Sequence, residues 1–178
     1  MSQAKKRHLA VAAAPSEVKP LVFEEVFRRW APYVGGILSR LVGPGAHVDD
    51  LVQNVFIDVH RGLSGLQEPQ ALRSWLTTIT VRRARKYLGR KRLRRFVGLD
   101  TVAEIADPGI LPERRASVVA AYRVLDKVKP EERIAWTLRR VEGETLIEVA
   151  RICGCSRSTA DRRIRAVEAA FAKELGRE

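Results

Sequence analysis

The side chains with the most obvious chemical potential are Cys153 and Cys155, one glycine apart in ICGCSRSTADRRI (152–164). Thiols at that spacing raise two possibilities, metal ligation and redox exchange. A structural zinc site takes four ligands, and the chain holds no other cysteine. A C-x-C pair cannot close on itself without strain. The histidines do not complete the set. His8, His47 and His60 fall in a tail, a loop and a helix end, apart from any carboxylate cluster. GPGAH (43–47) lacks the Lys-Ser or Lys-Thr that follows a phosphate-cradling glycine loop. No catalytic residue, metal site or cofactor is expected, and the chain reads as a binder, not an enzyme.

Charge points to what is bound. The 178 residues carry 33 Lys and Arg against 21 Asp and Glu, a formal +12. Such a surplus fits a polyanionic partner, either nucleic acid or an anionic membrane surface. With 46% hydrophobic residues the chain can bury real cores without staples. No apolar run approaches the roughly 18 residues of a membrane span, so no membrane insertion is expected. AKKRHLAVAAAP has a basic head but only a marginal apolar part for a secretion signal. It reads as a flexible tail on a cytoplasmic protein.

The elements that must position these groups are helices. Apolar residues recur at three and four, and period-two alternation is missing. Phe23, Val26, Phe27, Trp30, Val34, Ile37, Leu38 and Leu41 make one stripe, which Pro32 should kink or split. VDDLVQNVFIDVHRGL reads as a second helix burying Leu51, Val52, Val55, Phe56 and Val59, with Asp49 and Asp50 in the first turn where the macrodipole favours them. A long third helix should run from about Gln70 to about Leu93. Residues 95–115 hold Pro108, Gly109, Pro112 and four acids and read as a linker. Helices at Ala116–Val128, Glu131 to about Val141, Leu146–Cys153 and Arg157–Leu175 follow. The expected fold is all-α: a tail (1–20), a helical domain (21–95), a flexible linker (96–116) and a second helical domain (117–178).

Three constellations carry the binding chemistry. The last two helices fit a helix-turn-helix. Ala150 is small where helices cross, Gly154 takes the turn, Ser156 caps the second helix, and the two cysteines plug the corner as small hydrophobes. A thiol partly exposed there is still open to oxidation. Ala160, Ile164, Val167 and Phe171 form an apolar underside. Ser158, Arg162 and Arg165 point the other way, flanked by Arg157, Thr159, Asp161 and Arg163, the pattern a DNA-reading helix needs. The second constellation is VRRARKYLGRKRLRR, with nine Lys or Arg from Arg82 to Arg95 and no acid. A solvated face mixes both signs, so this run implies phosphate. No clean apolar stripe lies opposite the charges, which weakens the membrane reading. Arg82, Arg83, Arg85, Lys86 and Tyr87 are its candidate contacts; Trp75, upstream, is either a core anchor or a contact. The third constellation is an outward face of Asp50, Gln53, Asn54 and Asp58, suited to a basic or amide-rich protein surface, or else a solvated helix face.

In these residues the chain resembles the extracytoplasmic-function, or group IV, sigma factors of bacterial RNA polymerase. VDDLVQNVFIDV, then SWLTTI separated from His60 by thirteen residues, resembles their sigma-two domain. VKPEERIAWTLRRVEGETLIEVARICGCSRSTADRRIRAVEAAF is similar to their sigma-four domain. The resemblance implies that Asp50, Gln53, Asn54 and Asp58 dock on the coiled coil of the largest subunit of core RNA polymerase. It implies that the helix around Trp75 to Arg95 contacts and helps melt the proximal element of promoter DNA, that LSGLQEP (63–69) holds a flipped base, and that the helix-turn-helix reads the distal element. An anti-sigma factor is the further partner it implies. Asn54 stands where the family usually has glutamate, Arg82 where asparagine is common, and Asp161 where a basic residue is usual; His60, Trp136 and Arg139 also depart from the pattern. The alternative is a stand-alone helix-turn-helix regulator, which needs neither the acidic-amide face nor the acid-free helix.

Overall fold

The structure, a computed structural model, describes residues 21–98 except Pro44 and Ala46, together with 112–176. The expected 1–20 tail and most of the expected linker lie outside these residues. Every regular element among the described residues is helical. The first three helices are α1 (Phe23–Val42), α2 (His47–Gly62) and α3 (Leu72–Phe96), with 3-10 turns at Leu63–Gly65 and Pro69–Ala71 leading into α3. After them come α4 (Pro112–Lys127), α5 (Pro130–Arg140), α6 (Leu146–Cys153) and α7 (Arg157–Leu175).

The periodicities place these elements within a few residues, and the departures have local causes. Pro32 does not divide α1 into two helices. It removes the donor that the Arg28 carbonyl expects, but both residues are exposed, so water can take the donor's place. Phe27, expected in the buried stripe, is 43% exposed and instead caps an aromatic group with Phe23 and Phe56. Val52 is half-buried, whereas Leu51, Val55, Phe56 and Val59 are buried as expected. Helix α4 begins at Pro112, four residues before the expected Ala116 and inside the expected linker. A proline at a first helical position has its φ already set and no N–H to waste. Pro130 does the same for α5, where Glu132 accepts from the Lys129 amide at 3.0 Å.

Helices α1, α2 and α3 pack pairwise into one bundle, and α7 lies against α4, α5 and α6 in a second. Two domains were expected; the two bundles also pack on each other. Helix α3 touches α5 and α6, α1 touches α5, and one cluster of buried apolar residues draws members from both bundles, from Val26 to Ile164. A hydrophobic stripe reports which side of a helix is apolar, but not which neighbour covers it.

The seam between bundles is polar as well as apolar. Arg133 of α5 is the largest fully buried side chain. It donates from Nε to the Leu41 carbonyl (2.6 Å) and from Nη1 to Asp126 (2.6 Å), and its guanidinium lies 5.3 Å from the centre of the Tyr122 ring. The Tyr122 hydroxyl donates to the Ser39 carbonyl at 3.0 Å. Glu142 takes both arms of Arg40, with Nη2 to Oε2 at 2.9 Å.

Candidate nucleic-acid interface

The helix-turn-helix is built as its residues require. Thr145 caps α6 by accepting from the Glu148 amide, and Ser156 caps α7 by accepting from the Thr159 amide, each at 3.2 Å. Gly154 takes a left-handed conformation (φ 64°, ψ 45°) between them. Ala150, Cys153, Ala160, Ile164 and Val167 are buried at the crossing, and Phe171 is half-buried against Trp136. On the opposite side Arg157, Ser158, Arg162 and Arg165 are exposed, while Thr159 and Arg163 are half-buried. Asp161 is occupied, its carboxylate lying 3.0 Å from Arg165 one turn along.

Burial, aided by neighbouring Cys155, pushes the Cys153 thiol up to about 11. Cys155 is half-buried. Reaction needs the thiolate, so Cys153 should resist iodoacetamide at pH 8 in the native protein and label readily in denaturant. Mass spectrometry of the labelled peptides checks this. Rapid native labelling of Cys153 would mean the corner is not packed as described. Among the described residues no group of three or more His, Cys, Asp or Glu is placed to hold a metal, and no helix is long and apolar enough to cross a membrane.

Helix α3 divides its cations between two environments. Arg82 and Lys86 are exposed. Arg83 is half-buried and grips Asp58 of α2, with Nε to Oδ2 at 2.6 Å. Two groups expected on different surfaces are thereby joined. The hydrogen bond from Arg83 holds the Asp58 carboxyl below its ordinary value. Arg85 donates from Nη2 to the Cys153 carbonyl of α6 at 3.0 Å. Tyr87 is half-buried and stacks on His47, with ring centres 5.0 Å apart. Trp75 is half-buried against Gly62, where a Cβ would come within 2.9 Å of the indole. Both expected roles for Trp75 therefore have a surface available.

On α2, Asp50, Gln53 and Asn54 are exposed in one stripe. Asn54 folds back to donate to the Asp50 carbonyl at 2.6 Å. Sequence reasoning passed over Ile57, which is 47% exposed and seven residues after Asp50, on the same side of the helix. Also unforeseen were Asp126, Arg133, Arg40 and Glu142 at the seam. Asp126 stands within reach of Lys91 (3.5 Å), Arg95 (3.0 Å) and Arg133 (2.6 Å). A lone acid in RVLDKV carries no signal of that convergence.

These contacts set a pH dependence. Burial works to raise the Asp126 carboxyl, but Lys91, Arg133 and Arg95 overcome it and hold it low. Burial lowers the His47 imidazole, against a bond to the Gly43 carbonyl. Asp58, Asp126 and His47 all have folded values below their unfolded ones. Their stabilisation is therefore complete above the unfolded values, about 6.5 for His and 3.9 for Asp, and is lost as pH falls through the folded values. The melting temperature should be level from about pH 7 to about 8, sag below about 6.5, fall steeply below about 4, and fall again above about 8.5, where the unfolded Cys153 thiol ionises while the buried one stays protonated. A circular-dichroism melt series checks this; a maximum in the acid range would contradict it.

Sigma-70 region 2 matches residues 26–94, and Sigma-70 region 4 matches residues 118–169. The chain is 32% identical over 142 residues to the RNA polymerase sigma factor CarQ of Myxococcus xanthus, covering 78% of this chain and 80% of that one. It is 31% identical over 150 residues to the ECF RNA polymerase sigma-E factor of Escherichia coli K12, covering 76% and 77%. Among solved structures it is similar to CnrH in complex with the cytosolic domain of CnrY, with TM-score 0.61, 21% identity and 88% of each chain covered. It is also similar to the sigma factor RpoE of Bartonella quintana in complex with the anti-sigma factor NepR, with TM-score 0.64, 21% identity, and 86% and 96% covered.

Proposed function

This chain belongs to the extracytoplasmic-function sigma factors of the sigma-70 family, and from that membership we propose how its surfaces divide the work of promoter-specific initiation. The protein is an RNA polymerase sigma factor: it binds core polymerase and directs it to a promoter. In our reading residues 21–95 form the polymerase-docking and proximal-element unit, and 117–178 form the distal-element unit. Asp50, Gln53 and Asn54 face the coiled coil of the largest polymerase subunit, with Ile57 as the apolar centre of that contact. Asp58 acts from below by fixing Arg83, which sets the angle between the docking helix and the promoter helix.

On α3, Trp75, Arg82, Arg83, Arg85, Lys86 and Tyr87 serve the proximal element. On α7, Arg157, Ser158, Thr159, Arg162, Arg163 and Arg165 serve the distal one. With Asp161 held by Arg165, its part is to aim that arginine. Two linked readers gain specificity because binding of the first raises the effective concentration of the second. The chain acts where polymerase acts, in the cytoplasm, and has no catalytic role of its own. An anti-sigma factor is its expected regulator, since one neighbour by fold was solved in complex with an anti-sigma factor and another with the cytosolic domain of CnrY.

One observation carries the reading: the two sigma-70 regions occur in order, and the second coincides with a capped helix-turn-helix whose outer side is cationic. Nothing in these surfaces favours a stand-alone regulator. Run-off transcription with core polymerase tests it. Specific transcripts should depend on the added protein. If no promoter from its own genome supports initiation and no complex with core appears on gel filtration, the proposal fails.

A further inference from the structure

The cations of α3 divide by direction, and the division leaves the helix with an apolar end. Arg83, Arg85, Lys91 and Arg95 bind Asp58, the Cys153 carbonyl and Asp126. Arg82, Lys86, Gly89, Leu93 and Phe96, spaced by fours and threes, share the exposed side. That side therefore runs from two cations to two apolar side chains. Leu93 is 64% exposed and Phe96 89%, with Val97 exposed beside them. Arg90, Arg92 and Arg94 flank this turn, exposed and without a carboxylate partner among the described residues. Sequence alone shows no clean apolar stripe here, because it does not separate the inward cations from the outward ones.

Large apolar side chains exposed together mark an interaction surface. An open groove of about 640 Å³ lies beside Leu93 and Phe96, and Arg92, Arg95 and Lys127 outnumber Asp126 in its lining. The occupant must therefore be anionic and must take in protruding apolar groups. A second copy of the chain would set like charges against each other. A duplex offers phosphates to the arginines, but aliphatic Leu93 and Val97 have no flat ring to lay on a base. An anionic bilayer supplies both needs. Its headgroup phosphates lie at the surface, above an acyl boundary that takes up Leu and Phe set among Lys and Arg. No described helix is long and apolar enough to cross a bilayer, so the contact is with its surface.

We propose that the end of α3 is a peripheral anchor for anionic membrane surfaces. Leu93 and Phe96 enter the acyl boundary, and Arg90, Arg92 and Arg94 meet headgroup phosphates, with Arg82 and Lys86 lying along the same surface. Each cation near an anionic leaflet adds attraction, and the apolar pair seats what charge alone would hold loosely. The anchor is separate from the outward face of α2 and does not depend on α3 reading a promoter.

Sedimentation of the full chain with vesicles tests this. The wild type should bind vesicles of equimolar phosphatidylglycerol and phosphatidylcholine, and should not bind vesicles of pure phosphatidylcholine. Leu93→Ser combined with Phe96→Ser keeps every charge and should weaken that binding on the order of tenfold or more, the scale of two apolar side chains withheld from an acyl boundary. Ile147→Ser, which removes an exposed apolar side chain from α6 instead, should bind as the wild type does. Anisotropy with a fluorescent duplex and circular-dichroism melts are read on the same variants, and neither should change. No binding to the anionic vesicles overturns the anchor. Binding that the double substitution leaves intact reduces the contact to charge alone, and an equal loss in Ile147→Ser places it elsewhere; either result overturns the anchor. So does a parallel fall in duplex binding, which would assign Leu93 and Phe96 to nucleic acid. A lowered melting temperature would mean that the chain itself covers them. A dimer on gel filtration that the double substitution dissolves would assign them to a second copy. Both of these results also overturn the anchor.

Discussion

Asp50→Arg should abolish stable association with core polymerase, with a loss of about 3 kcal/mol or roughly a hundredfold in affinity, because like charges opposed across an interface cost several kcal/mol. Asp50 is exposed in the first turn of α2. The change would also set a cation at the positive end of the helix dipole, at a further cost of about 0.3–1 kcal/mol in local stability. Asp50→Asn separates the two effects, since it removes the charge without reversing it and keeps the shape. It should weaken association by a smaller factor. Duplex binding by the free chain should be no weaker in Asp50→Arg than in wild type. Gel filtration with core polymerase and fluorescence anisotropy with a duplex read these two properties separately. If both activities fell together, α2 would not be a dedicated protein surface.

The other large effect is expected at Arg133. Its side chain is 2% exposed and donates to both Leu41 and Asp126. Arg133→Ala should destabilise the protein by about 3–5 kcal/mol, combining a large cavity with a broken buried charge pair. Arg133→Met fills much of the same volume without bringing a charge. Asp126 keeps Lys91 and Arg95 as partners, so methionine should recover most of the loss. A well-packed apolar replacement of a buried ion often costs little. In the alanine variant the seam, not the bundles, should give way first. Thermal unfolding should then split into two transitions where the wild type shows one. A single transition shifted by less than about 1 kcal/mol would mean that Arg133 does little at the seam.

Periodicity was enough to find the helices, because each buries one stripe and the stripe is written at three- and four-residue spacing. It was enough for the helix-turn-helix too, since Ala150, Gly154, Ser156 and the cationic outer side of α7 are all local features. The start of α4 was misplaced because proline and glycine in 108–112 read as breakers, while Pro112 serves as a first helical residue. The seam was invisible for a different reason. Glu142 meets Arg40 across 102 positions of sequence, and Arg85 reaches the Cys153 carbonyl across 68. Nothing in the local pattern of an acid or an arginine says which distant group it will face. The Asp58–Arg83 pair shows the same limit, since spacing assigned its two members to separate surfaces.

Gly154 forms the turn between α6 and α7. Its φ of 64° is a backbone shape that L side chains rarely adopt, yet a Cβ built there would meet nothing within 4 Å. The requirement at this position is therefore one of handedness, with no demand on space. A residue of opposite chirality has its preferred backbone angles in that region. D-alanine, introduced at position 154 by chemical ligation, should fit the turn without a clash. It should stabilise the fold by about 0.4–1 kcal/mol, because the unfolded chain has fewer conformations to give up. L-alanine has the same atoms in mirror arrangement and should destabilise it. The hinge that aims the reading helix is thus specified by the sign of one torsion angle.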